Sequence, residues 1–95
     1  FKIIFFYGIQ EYIFNEIQFN IYPNPVTDIL NIQSKEDLPE NTSLTIYDVA
    51  GKQVLNKLAQ NSNLNQINVS QLNSGIYILQ IDSSNLNYSF KFIKN

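Results

Sequence analysis

Glu36, Asp37 and Glu40 are the densest group of hard oxygen ligands in the chain, and Ca²⁺ is the ion that several carboxylates on one flexible loop would hold. Their spacing matches no EF-hand, and charges clustered between two apolar runs are the ordinary composition of a solvated loop. A glycosidase pair would have to come from Asp28, Asp48 and Asp82. Each of these falls at the end of an expected strand or turn, where capping of backbone N–H groups explains it. Tyr47, Tyr77 and Tyr88 have rings that can stack on sugars, but all three fall on expected strands where packing accounts for them. The triplets Asn41-Thr42-Ser43, Asn68-Val69-Ser70 and Asn87-Tyr88-Ser89 fit a glycosylation pattern that a chain rich in Asn and Ser produces by chance. With no His and no Cys, the chain supplies no imidazole base, thiolate nucleophile, zinc finger or disulfide. The residues therefore assign no catalytic group, no cofactor-binding group and no metal ligand, and the expectation is that the protein is not an enzyme.

The remaining chemistry is packing. Ninety-five residues allow one small domain, which buries roughly 60–65% of the surface its unfolded chain exposes. A hydrophobic fraction of 44% with seven Phe and six Tyr suffices for that core. The net charge of −2 gives no electrostatic footprint for a polyanion, so nucleic acid is not an expected partner. The longest apolar run, Ile3 to Ile9 with Gly8 inside, is far below the ~18–20 residues of a bilayer-spanning helix, and no transmembrane segment is expected.

From Phe19 onward, short apolar runs are cut by turn residues every eight to twelve positions, the rhythm of an all-β sandwich. Seven strands are expected. Phe19–Tyr22 ends at Pro23-Asn24-Pro25, where two residues without an N–H stop ladder pairing. Ile29–Gln33 follows, and then a solvated loop from Lys35 to Asn41. Ser43–Val49 and Lys52–Leu58 form a hairpin around Asp48-Val49-Ala50-Gly51, with an acceptor side chain at its start and Gly51 where a left-handed residue is needed. A polar connection leads to a short strand at Gln66–Val69, and Gly75 supplies a positive φ after the turn that begins at Ser70. Ile76–Asp82 reads as a central strand covered on both faces. In the last strand Tyr88, Phe90 and Phe92 alternate with Ser89 and Lys91, and the polar stretch Ser83 to Asn87 joins the two as a hairpin. The expected core is Leu30, Ile32, Leu44, Ile46, Val54, Ile67, Val69, Tyr77, Leu79, Ile81, Phe90 and Phe92.

The opening stretch, residues 1–19, differs in character and reads as an atypical N-terminal segment, a fragment end or linker remnant. Lys2 before Ile3-Ile4-Phe5-Phe6 imitates a signal peptide, but Glu11 and Glu16 follow and no small-residue cleavage site appears. Ile9, Ile13 and Ile17 would line a short helix, while Phe1 to Tyr7 would suit a strand equally well.

Five turn and strand motifs then occur in a fixed order: Ile21-Tyr22-Pro23-Asn24-Pro25-Val26; Asp28-Ile29-Leu30-Asn31-Ile32; Leu44-Thr45-Ile46-Tyr47-Asp48 with Gly51-Lys52-Gln53-Val54; Leu72-Asn73-Ser74-Gly75-Ile76-Tyr77-Ile78-Leu79; and Lys91-Phe92-Ile93-Lys94. In this order they resemble the type A C-terminal sorting domain of the type IX (Por) secretion system, over residues 20–95. The resemblance implies a small antiparallel immunoglobulin-like β-sandwich of about seven strands. It also implies a detachable export tag of Bacteroidota, read by the translocon and its shuttle components. The covalently attached upstream cargo would pass through the periplasm and outer membrane to the cell surface or medium, after which a cell-surface sortase commonly removes the tag. Matching positions point to Gly75, Tyr77, Lys91 and Lys94 as the part the machinery reads, with Pro23, Asn24, Pro25, Gly51 and Gly75 as structural turn residues. Each has a blander reading: the glycines serve backbone geometry in any such sandwich, and lysines on a terminal strand discourage edge-to-edge pairing. Without the ordered motifs, the chain would read as an immunoglobulin-like adhesion or carbohydrate-binding module.

Overall fold

The computed structural model describes residues 3–5, 10–14, 17–84 and 86–95. The described residues form nine strands: β1 (Ile3–Phe5), β2 (Gln10–Phe14), β3 (Ile17–Tyr22), β4 (Ile29–Ser34), β5 (Ser43–Asp48), β6 (Gln53–Leu58), β7 (Leu64–Asn68), β8 (Gly75–Asp82) and β9 (Asn87–Lys94). They make two sheets, one of five strands in the order β1-β9-β8-β5-β6 and one of four in the order β2-β3-β4-β7. All pairs are antiparallel except β1 with β9, which is parallel. No described residue is helical, so no helix among them is long and apolar enough to cross a membrane. The seven strands from Ile17 to Lys94 are those the sequence rhythm calls for. Ile13 and Ile17 lie on β2 and β3 and not on a helix, while Ile9 lies outside the described residues.

The two sheets bury one shared layer because each strand alternates its side chains. From the larger sheet come Leu44 and Ile46 of β5, Tyr77, Leu79 and Ile81 of β8, and Phe90 and Phe92 of β9. Cross-strand register aligns them in rows, Ile46 beside Leu79 beside Phe90, and Leu44 beside Ile81 beside Tyr88. The smaller sheet answers with Phe19, Ile21, Leu30, Ile32 and Ile67. Phe19 meets Phe90 and Tyr88 edge-on, with ring centroids 5.6 and 5.7 Å apart, the geometry favoured by the opposite charge of ring face and edge. Of the expected core residues, Val54 alone is only partly buried.

Two expectations need correction. β8 is central in its sheet but covered on one face: Tyr77, Leu79 and Ile81 are buried, whereas Ile76 is 42% exposed and Ile78 and Gln80 are half-buried. Its unbroken apolar run reflects a half-covered outer face rather than a second packed layer. The stretch from Lys35 to Asn41 is not wholly solvated either. Leu38 is fully buried, its N–H donates to the Ser62 carbonyl at 3.1 Å, and its own carbonyl accepts from Asn61 Nδ2 at 2.8 Å. Leu86 plugs the β8–β9 connection in the same way.

The β5–β6 turn follows its sequence closely. Asp48 Oδ1 accepts from the N–H groups of Ala50 and Lys52, both at 2.9 Å, and Gly51 donates to the Asp48 carbonyl at 3.0 Å. Gly51 has φ 87° with no atom within 4 Å of the position a Cβ would take. Any cost of a side chain there is therefore backbone strain alone. Gly51→Val is expected to destabilise the domain by ~1–3 kcal/mol, read as a fall in Tm by thermal denaturation, and an unchanged Tm would show that the turn is wrongly placed.

Candidate functional site

The last strand is held more firmly than its position suggests. β9 pairs with β8 along all eight residues, from Gly75 opposite Lys94 to Asp82 opposite Asn87. Phe90 and Phe92 are fully buried, and Phe92 stacks on Tyr77 with centroids 5.9 Å apart. On its other edge, the proline-rich turn after β3 takes the place of a strand. Asn24 is buried and its Oδ1 accepts from the Ile93 N–H at 2.8 Å. Val26 donates to the Ile93 carbonyl and accepts from the Asn95 N–H, each at 2.9 Å, as a parallel bridge to Lys94. Asn95 Nδ2 donates to Thr27 Oγ1 at 3.3 Å. The first motif of the ordered series is thus clamped onto the last, 69 residues apart in sequence. The peptide bonds before Pro23 and Pro25 are both cis, and the two proline rings lie exposed while Asn24 and Val26 between and after them point inward.

The residues singled out from sequence converge only in part. Gly75 (φ 157°) and Lys94 are register partners, and Tyr77 sits beside them, its hydroxyl donating to the Asn73 carbonyl at 2.7 Å to close the turn before Gly75. These three, with Asn24 and Val26, form one end of the sandwich. Lys91 does not join them. It projects from the opposite face of β9, where its register partner is Ile78. Lys94 corrects the picture of two exposed gatekeeper lysines: it is only 7% exposed, lies on the same face as Phe90 and Phe92, and its Nζ donates to the Asn95 carbonyl at 2.7 Å. Nor is β9 an open edge, since β1 covers Ser89 to Lys91 and Val26 covers the end.

The other chemical candidates disperse. Asp48 caps its own turn, and Asp82 lies at the far end of the β5–β8 pair, about five strand residues or ~17 Å away. Glu36, Asp37 and Glu40 are exposed, and the first two border a cavity of about 210 Å³ lined also by Leu38, Pro39 and Leu86. Among the described residues no three acidic side chains come together as a metal site would require. Tyr77 is turned into the core and Tyr88 is half-buried against Phe19, so neither ring offers an open platform. Sequence reasoning missed Asn24 as a hydrogen-bonding residue and Val26 as a core residue. The signal was present: an Asn between two prolines, followed by Val, is a polar acceptor and an apolar plug in a segment that cannot pair as a strand.

The clamp and the long β8–β9 hairpin both lie within a stretch that matches a known family. The model of the secretion system C-terminal sorting domain matches residues 20–95. The chain belongs to that family. It carries the C-terminal sorting domain of type IX secretion, and the match takes in seven of the nine strands, β3 in all but its first residues and β4 to β9 whole. No curated protein matches the chain. In this sorting domain the proline-rich turn is a structural device, and its strength is measurable. Asn24→Ala leaves the Ile93 N–H without its acceptor in a buried setting, with an expected loss of ~1–3 kcal/mol. Denaturant unfolding checks this, and a loss below a few tenths would show that the clamp does not hold the strand.

Proposed function

We propose that this sorting domain is a folded address that takes a covalently attached upstream cargo across the outer membrane through the type IX machinery to the cell surface or medium. A cell-surface sortase then removes it. The observation that supports this reading is the family match over residues 20–95, read together with the clamp between Asn24–Thr27 and Ile93–Asn95. A cargo that crosses already folded cannot be led by an unfolded peptide threaded ahead of it, so the address must be a shaped surface. The clamp makes the strand Asn87–Lys94 part of such a surface and not a loose tail. We assign the domain itself no chemistry, a reading supported by the lack of His and Cys and by Asp48 capping its own turn. Its partners are the translocon, its shuttle components and the sortase, in a bacterium of the Bacteroidota.

Of the tag residues, Lys91 is the one we assign to contact with a partner, because it alone lies on the face of β9 away from the core. Gly75, Tyr77 and Lys94 act by shaping the end of the hairpin from inside. We favour sorting over the adhesion or carbohydrate-binding reading because Tyr77 and Tyr88 pack against the core and Tyr47 is half-buried on β5.

The experiment is a fusion of signal peptide, folded reporter and this chain in a host with type IX machinery. The reporter is expected outside the cell, and a reporter left in the periplasm, while the host exports its own cargos, would refute the proposal. Lys91→Glu is expected to lower export severalfold while thermal denaturation still shows a cooperatively folded domain, since the side chain is half-buried on the outer face and not in the core. Deleting Phe90–Asn95 is a poorer test, because it removes two fully buried rings and the tag unfolds.

A further inference from the structure

The outer edge of β9 is covered by two different things. Asn24 and Val26 hold Ile93 and Asn95, and they lie within the family-matched residues. Farther up, Ser89 to Lys91 are paired with β1, Ile3 to Ser89, Ile4 to Phe90 and Phe5 to Lys91, and β1 lies upstream of that match. Backbone direction alternates along a strand, so Ser89 and Lys91 aim their N–H and C=O groups the same way as Ile93, away from β8. The matched domain thus builds a strand-accepting edge and leaves part of it to a segment outside itself.

Among the described residues that cover is the shortest strand pairing. It has three residues in parallel, against eight antiparallel for β8 with β9, and parallel pairing is slightly less stable per residue. The Ser89 hydroxyl is buried at this seam, and among the described residues it is the only buried side-chain polar atom with no hydrogen-bond partner. A buried hydroxyl without a partner is a local cost at the residue that β1 pairs with, and it lends that pairing no side-chain support. The far side of the sandwich is defended instead: Lys57 of β6 extends its Nζ to the Gln66 carbonyl of β7 at 2.7 Å, setting a cation across the two edge strands.

We propose that Ile3–Phe5 is an exchangeable cover, and that a protein of the secretion machinery docks by adding its own extended strand to β9, parallel and in place of β1. The strand it supplies has the chemistry of the one it replaces, β-branched and aromatic like Ile3-Ile4-Phe5. This deepens the sorting function and rests on it.

The chain has no native cysteine, so the double variant Ile3→Cys/Ser89→Cys can form one disulfide between register partners and lock β1 in place. The probe is a labelled peptide carrying the Ile3–Phe5 sequence between flanking lysines, added to the full chain. It is expected to bind wild type and the reduced variant, to lose binding on oxidation and to recover it on reduction. Equal binding in both redox states, or none in either, overturns the proposal. In the reporter fusion, the single-cysteine variants are expected outside the cell and the oxidised double variant in the periplasm. Export of the locked fusion at the single-cysteine level overturns docking at this edge. Failure of the unlocked fusion to leave the periplasm refutes the sorting function itself, and the peptide measurement, which needs no export machinery, tells the two failures apart.

Discussion

Everything in this domain leans on how β9 is held. Its eight-residue pairing with β8 puts Phe90 and Phe92 at the centre of the shared layer, where they meet Phe19 and Tyr77. β9 is ordered by two of the largest buried rings in the core and by backbone bonds on both edges, contacts that offset the entropy of fixing it. Removing those rings would cost several times what a surface change costs, since each leaves a cavity as well as lost apolar burial.

The clamp extends the same logic to the other end of the sorting domain. Prolines cannot pair as a strand, so the segment after β3 needs another way to attach, and Asn24 provides it with a side-chain oxygen while Val26 provides backbone and an apolar plug. The first and last motifs therefore cannot be separated physically. A machine that reads the final strand reads a surface whose shape depends on a turn nearly the whole domain away in sequence. A short linear peptide with the same residues would lack that shape.

Much of this was legible in the sequence, and the reasons for success and failure are local. Alternating apolar residues placed Leu30, Ile32, Leu79, Phe90 and Phe92 inside, because burial on one face of a strand leaves a period of two. Asp48 and Gly51 announced their turn because few residues satisfy its geometry. Leu38 and Leu86 were lost because one apolar residue among polar ones leaves no periodic signal. Lys94 was misplaced because its residue type argues for water while its register, two beyond Phe92, argues for the core, and register won. The β1–β9 pairing was beyond reach, since a parallel contact between opposite ends of a chain has no local signature. The candidate site was legible as motif order, but not as the clamp that joins its two ends.

The central claim is that the machinery meets the domain along β9, on the side where Lys91 projects and where β1 lies, and not at the β6 edge across the sheet. Site-specific photo-crosslinking decides it: a photoreactive residue is placed at Lys91 in one fusion and at Leu58, exposed on β6, in another, in cells exporting the reporter. The expected result is a crosslink to a component of the secretion machinery from position 91 and none from position 58. A crosslink from position 58 with none from position 91 would contradict the account.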